Sequence, residues 1–344
     1  MRILYVHNIN QVAETYGADL TRRGHFVKVY EPSLVGGSAP LPIKLAMMPG
    51  RVLGLHSIAS ALNPKHFEIA HIHWASYGIL GLVSRIPFIV QCHGSDVRHR
   101  LKQPFFRTVL TSIFRRAAAV MCITPDILPP VQSIRPDAMF FPAPIDTEQF
   151  SPSTVTQPQS WTILLLSRLD PVKGVDVSTQ GIARFVQRHP DVRVLVLDCG
   201  PLREKYKQLY SERFEFIPPV VQEEVPQLIW PADVIVGQFA LGALGLSELQ
   251  AMSCGKPVIA SFRYEEAYPT PPPLCQARNA EEIEEQLENL FQHPEVAKEL
   301  GQKAREWVIN YHNNQMLAVR LETLYQTILN ERKGELTSTS QLLA

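Results

Sequence analysis

The chain has 344 residues, enough for about two domains at roughly 150 residues each. Hydrophobic residues make up 45% and charged residues 19%, a globular composition that excludes a disordered or fibrous protein. Lys and Arg number 33 and Asp and Glu 33, for a formal net charge of zero; a dedicated nucleic-acid binder carries a basic excess, so no nucleic-acid partner is expected. The zero conceals an asymmetry: residues 1–155 hold 15 Lys and Arg against 9 Asp and Glu, and the remainder holds 18 against 24. Opposite signs in the two halves suggest two domains with different partners.

In chain order, short β-rich runs alternate with helix-length segments. The first half offers Ile3–Val6, Phe26–Tyr30, Ile69–His73, Phe88–Cys92, Val120–Ile123 and Met139–Phe141. Pro142 to Pro152 and the polar stretch Ser153–Ser160 follow and read as a linker, because such a segment joins neither a helix nor a central strand. Five more runs come after it: Thr162–Leu166, Val192–Leu197, Phe214–Ile217, Val234–Val236 and Pro257–Ala260. Helices are expected at about 281–291, 294–311 and 314–330, ahead of a polar, frayed tail from Gly334. Most runs are continuously apolar, as parallel strands covered on both faces are. The expected fold class is α/β, with two doubly wound domains at 1–152 and 160–313, whose ligands sit outside the carboxyl ends of the strands.

Cys92, Cys122, Cys199, Cys254 and Cys275 form no CxxC pair and read as buried thiols of a reducing compartment. The first residues lack the apolar core of a signal peptide, and no apolar run reaches the roughly 18 residues that span a bilayer. A cytoplasmic protein is expected.

Three loops carry candidate chemistry. In Leu166-Ser167-Arg168-Leu169-Asp170-Pro171-Val172-Lys173-Gly174, a guanidinium and an ammonium follow a buried strand. Arg168 offers a planar fork and Lys173 a mobile point charge, together suited to a diphosphate; a solvated ion pair with Asp170 or Asp176 is the competing reading. In Gly242-Ala-Leu-Gly245-Leu246-Ser-Glu248-Leu-Gln250, a glycine-bearing loop opens a helix, and the free amides at such a helix start hold anions. Packing against the sheet explains the glycines equally well. In Gln91-Cys-His93-Gly94-Ser-Asp96, a strand delivers His93 into a loop where it can donate to a phosphate or hydroxyl or move a proton; the alternative is a structural histidine bonded to Asp96. His71 and His73 share a strand face without a third ligand in view, so no metal site is expected. There is no GxGxxG after the first strand and no GxxxxGK[ST] loop.

Taken together these residues resemble the retaining glycosyltransferases of family four, whose GT-B fold has two facing Rossmann-like domains with a cleft between them. The resemblance rests on Arg22-Arg23-Gly24-His25-Phe-Val, His93-Gly-Ser-Asp96, Pro144-Ile-Asp146-Thr-Glu-Gln-Phe150, Ser167-Arg168 through Lys173-Gly174, Asp198-Cys-Gly200-Pro201, and Gly245-Leu through Gln250-Ala-Met to Gly255-Lys-Pro-Val-Ile. It implies that Arg168 and Lys173 hold the donor diphosphate and that His93 contacts the donor sugar near the reacting carbon. It further implies that the amides of Gly245 and Leu246 face the donor, with Gly242, Gln250, Asn10 and Gly200 lining its site, and that the helix at 314–330 returns to the first domain. Where the family has two glutamates, Gly242 and Gln250 stand here; where it has a glycine-rich loop after the first strand, His7-Asn8-Ile9-Asn10-Gln11 stands.

The activity so implied is metal-independent transfer of a hexosyl group from a UDP-, GDP- or ADP-sugar, with retention, to a hydroxyl of a lipid-linked or polysaccharide precursor. No cofactor beyond the donor substrate is expected. Gly242 and Gln250 support an alternative, a catalytically impaired nucleotide-sugar-binding subunit; a sugar-nucleotide epimerase would need acidic groups that these replacements remove. Between Arg98 and Arg116 lie six Lys and Arg, many apolar residues and no acid, a composition suited to an anionic membrane surface. That extends the expected location to the inner face of the plasma membrane; a core helix with a solvated basic face competes with it.

Overall fold

The computed structural model describes residues 1–32, 60, 62–153 and 160–334; residues 154–159 of the expected linker and all but Gly334 of the tail lie outside the described residues. The chain divides into two units, Met1–Pro144 with Asn314–Ala344, and Ile145–Asn313.

The first unit is built on β1 (Arg2–Val6), β2 (Phe26–Tyr30), β3 (Ile69–His73), β4 (Phe88–Cys92), β5 (Ala119–Cys122) and β6 (Met139–Phe140). They form one sheet in the order β2-β1-β3-β4-β5-β6, parallel throughout. β3, β4 and β5 are buried at every position, which is why their sequences read as apolar runs and not as alternations. Helix α1 (Val12–Arg22) and helix α2 (Pro104–Arg116) each bury one stripe, α2 through Leu110, Ile113 and Phe114.

The second unit has β7 (Thr162–Leu165), β8 (Arg193–Leu197), β9 (Glu215–Ile217), β10 (Val234–Val236), β11 (Val258–Ala260) and β12 (Cys275–Gln276). Their order is β12-β11-β10-β7-β8-β9, again all parallel. Helix α3 (Val175–Arg188) sets Ile182, Phe185 and Val186 in one core with Ile283, Leu287 and Leu290 of α6 (Ala280–Gln292). Between them in sequence come α4 (Arg203–Tyr210) and α5 (Leu246–Ser253).

The boundary falls between Pro144 and Ile145 and not at residue 152. Ile145 donates its N–H to the His312 carbonyl at 2.8 Å, and Phe150 offers its carbonyl to Ser253 Oγ at 2.6 Å and Arg305 at 3.1 Å, so residues 145–153 are tied to the second unit. Helix α7 (Pro294–His312) ends there, and α8 (Asn314–Lys333) belongs to the first unit. Asn314 donates to Asp19 at 2.8 Å, Tyr325 meets Tyr5 at 3.0 Å, and Arg23 binds Glu322 at 2.5 Å.

Candidate functional site

In an open parallel sheet, ligands bind where the strand order reverses, outside the strand carboxyl ends. In the second unit that point lies between β7 and β10. The loop leaving β7 carries Arg168 and Lys173, and the loop leaving β10 carries Gly242 and Gly245.

Backbone bonds stitch these loops together. Phe239 N–H donates to the Lys173 carbonyl at 2.9 Å, Leu169 N–H to the Cys199 carbonyl at 2.8 Å, and Leu202 N–H to the Leu169 carbonyl at 3.0 Å. Gly200 has φ +116°, and a Cβ there would lie 2.4 Å from the Leu169 carbonyl oxygen; its glycine allows the β8 loop to close against the loop that bears Arg168.

Lys173 Nζ donates to Gln238 Oε1 at 2.9 Å and lies 3.7 Å from where a Cβ on Gly245 would stand. The ammonium therefore sits at the N-terminus of α5. Arg168 reaches Asp170 Oδ2 at 2.9 Å with 59% of its side chain exposed. An exposed pair of this kind is worth little, and the guanidinium keeps donors for a ligand. Of the two competitors expected for Arg168, the structure selects Asp170; Asp176 instead takes bonds from Tyr206 and Lys205.

One expected donor is spent. The Glu248 carboxylate, 2% exposed, accepts from Gln238 N–H at 2.9 Å and from Gly245 N–H at 2.8 Å. The Gly245 amide thus braces the loop, and the amides open to an anion are those of Leu246 and Ser247 in the first turn, which lack intrahelical partners. The spacing Gly245-Leu-Ser-Glu248 was the available signal, an N-cap followed by a glutamate at the third helical position.

Gly242 has φ +67°, and a Cβ there would lie 2.2 Å from Arg263 Nε. Arg263 binds the Ala240 carbonyl at 2.7 Å, so a guanidinium fills the space a side chain at 242 would need. Gln250 is buried on α5 at 5% exposure.

In the first unit the strand order reverses between β1 and β3. Four non-glycine residues have positive φ among the described residues, His7 (71°), Asn10 (49°), Gln11 (59°) and Trp74 (75°). All follow β1 or β3. Such backbone gathers at functional sites, and no sequence pattern announced it. Asn10 is exposed there, and His7 Nδ1 meets Glu31 Oε1 at 2.5 Å.

His93 leaves β4 beside these loops. Asp96, wholly buried, accepts from its backbone N–H at 3.0 Å and from Ala75 N–H at 2.6 Å. Asp96 thus holds the β3 and β4 loops together, while the His93 ring turns to His73, Nε2 to Nδ1 at 3.0 Å. Burial, then the neighbouring His71 and His7, push His93 down to about 3; burial likewise takes His71 to about 3 and lowers His73. Burial raises Asp96, opposed by its backbone donors. No group of three His, Cys, Asp or Glu among the described residues could hold a metal ion. Four cysteines are buried, whereas Cys199, expected buried, is half-buried.

Arg98, counted above within the basic segment, is gripped by Asp126 at 2.5 and 2.9 Å. The exposed members are Lys102, Arg107, Arg115 and Arg116, with Phe105 at 73% exposure. No helix of the described residues is long and apolar enough to cross a membrane.

Two consecutive family models match, Glycosyltransferase Family 4 over residues 9–149 and Glycosyl transferases group 1 over residues 146–307. With its two Rossmann-like parallel sheets, the chain is a group 1 glycosyltransferase of the GT-B class. It is 22% identical over 313 residues to N-acetyl-alpha-D-glucosaminyl L-malate synthase of Bacillus anthracis, covering 80% of this chain and 79% of that protein. It is 24% identical to phosphatidyl-myo-inositol mannosyltransferase of Mycobacterium tuberculosis, covering 74% and 72%. Its fold is similar to that of HepE from Anabaena in complex with UDP and glucose, at TM-score 0.72 and 13% identity, covering 95% of this chain and all of the other.

Proposed function

We propose that the second unit binds a nucleoside diphosphate sugar by its diphosphate and that the enzyme transfers the sugar, with retention, to a hydroxyl of an acceptor held by the first unit. The observation that carries this reading is the Lys173 ammonium at the tip of α5, at the strand-order reversal of the second sheet. Negative charge grows on the departing diphosphate as the glycosidic bond breaks. Lys173, Arg168 and the Leu246 and Ser247 amides are fixed before that happens, so they stabilise the transition state more than the ground state. Retention follows from the family resemblance, and the anomeric proton of the product reports it by NMR.

A thermal-shift screen of UDP-, GDP- and ADP-sugars tests the donor. UDP-sugars come first, since the HepE structure holds UDP. A cognate donor at 100 times its Kd stabilises by about 2.7 kcal/mol; no shift with any of the three refutes donor binding. A shift without transfer or donor hydrolysis would mark the impaired subunit considered above.

For the acceptor we favour a lipid-linked precursor, since the relative from Mycobacterium tuberculosis is by its name an enzyme of phosphatidyl-myo-inositol. Phe105 stands at the start of α2 amid exposed basic side chains, the combination that settles on anionic bilayers. Sedimentation with anionic liposomes at low salt should pellet the protein, and Phe105→Ala should release it; no binding by the unaltered chain rejects the membrane surface.

A further inference from the structure

The pair His71-Ile-His73 is joined to the loop leaving β4 through His73 and to α8 through His71. Tyr5 and Tyr325 hydroxyls meet at 3.0 Å, and the Tyr325 hydroxyl meets His71 Nδ1 at 2.6 Å. The His71 ring stacks on His73 with centroids 4.5 Å apart. His73 Nδ1 then meets His93 Nε2 at 3.0 Å. His71 and His73 are both wholly buried.

Proton bookkeeping along this chain decides which nitrogen of His93 carries hydrogen. A neutral imidazole has one N–H and one lone pair, and burial lowers all three imidazoles so that they stay neutral. Among the described residues, His73 Nε2 is buried without a hydrogen-bond partner. Were the proton there, a buried N–H would be orphaned, which folded proteins avoid more strictly than an orphaned acceptor. The proton of His73 therefore sits on Nδ1, facing His93 Nε2. His93 must present a lone pair at Nε2, and its own proton goes to Nδ1.

We propose that His73 is a positioning residue that donates Nδ1–H to His93 Nε2 and so fixes His93 as the Nδ1–H tautomer, a hydrogen-bond donor to a ligand oxygen and not a general base. Free imidazole in water prefers the opposite tautomer, so the assignment is specific to this arrangement. The consequence for transfer rests on the reading that the first unit's loops serve the reaction; the tautomer itself does not.

The test is 15N NMR of the full chain labelled at histidine, with the His93 signals assigned by difference from His93→Gln. At neutral pH the His93 pair should show a pyrrole-type Nδ1 and a pyridine-type Nε2. The reverse pattern, or rapid averaging of the two, overturns the proposal. His73→Asn keeps an N–H donor near the former Nδ1 and should retain both the tautomer and transfer within about fivefold. His73→Leu keeps bulk without the donor and should shift His93 toward the Nε2–H form and lower kcat more than it raises KM. Equal loss in Asn and Leu variants with an unchanged His93 spectrum would show that His73 merely fills space, and would overturn it. If the wild-type tautomer is as stated but His93→Gln transfers normally, the role of His93 in transfer fails and the tautomer stands.

Discussion

Replacing Lys173 by Met keeps the aliphatic stem and removes one positive charge from the tip of α5. A unit charge about 4 Å from a unit of developing charge, at an effective dielectric near 20, is worth about 4 kcal/mol. Part of that interaction already exists with the ground-state diphosphate, so the differential effect on the barrier is about 2–4 kcal/mol, or roughly 30- to 1000-fold in kcat/KM. The fold should survive: Lys173 makes its side-chain bond to a neutral amide, Gln238 Oε1, at 2.9 Å, and its backbone bonds to Phe239 and Asp170 do not involve the side chain. The assay is initial-rate transfer with the donor identified by the thermal-shift screen, with Tm as the structural control. Retention of more than half the wild-type kcat/KM at unchanged Tm would show that the diphosphate is not held at this tip, and the proposed donor site would fall.

Glu248→Ala leaves the buried Gln238 N–H and the half-buried Gly245 N–H without their acceptor; at about 1–3 kcal/mol for the buried group the loss should appear as a lowered urea midpoint together with weakened donor binding. Gly242→Ala meets both a left-handed backbone and the Arg263 side chain, and should cost about 1–3 kcal/mol. Adding Arg263→Ala should recover the steric share, so the double-mutant cycle should be non-additive by at least about 0.5 kcal/mol. Acid should destabilise the first unit through His71. Its folded-state pKa of about 3 lies below the ordinary 6.5, so the folded state binds fewer protons, and the contribution, complete above pH 6.5, is lost as pH falls toward 3. Between pH 7 and pH 5 this amounts to about 2 kcal/mol, read as a urea-midpoint slope that His71→Asn should flatten.

Several strands could be placed to the residue, as at Phe26–Tyr30, Ile69–His73, Phe88–Cys92 and Val234–Val236, because their β-branched and aromatic residues carry the run past a single polar position. β5 is Ala119–Cys122, one residue before the expected run, because its edges are set by ladder bonds to β4 and not by hydropathy. β12, Cys275–Gln276, escaped notice because two residues ending in a glutamine give no run. At the site, the charge and spacing of Arg168 and Lys173 were readable. Which of them reaches the helix tip was not, because that depends on the Lys173–Gln238 bond across 65 residues. The role of His73 was hidden in the same way, since its partner His93 lies on the neighbouring strand's exit.

The two replaced glutamates bear on what the proposed donor site would select. Glu248 spends both oxygens on backbone N–H groups, and Asp170 is shared between Arg168 and the Val172 N–H. With glycine at 242 and glutamine at 250, the loops leaving β7 and β10 direct no unspent carboxylate at a ligand, while Arg168, Lys173 and Arg263 all stand on or against them. The local field is therefore positive, and it suits a group that becomes more negative as the bond breaks. Because Arg263 occupies the very space that a side chain at 242 would need, exchanging that carboxylate for glycine replaces an acid by a base in the loop instead of leaving a gap. In the proposed donor site the departure from the family pattern thus sets a guanidinium beside Gly242 and leaves the proposed diphosphate contacts of Lys173 and the α5 tip in place.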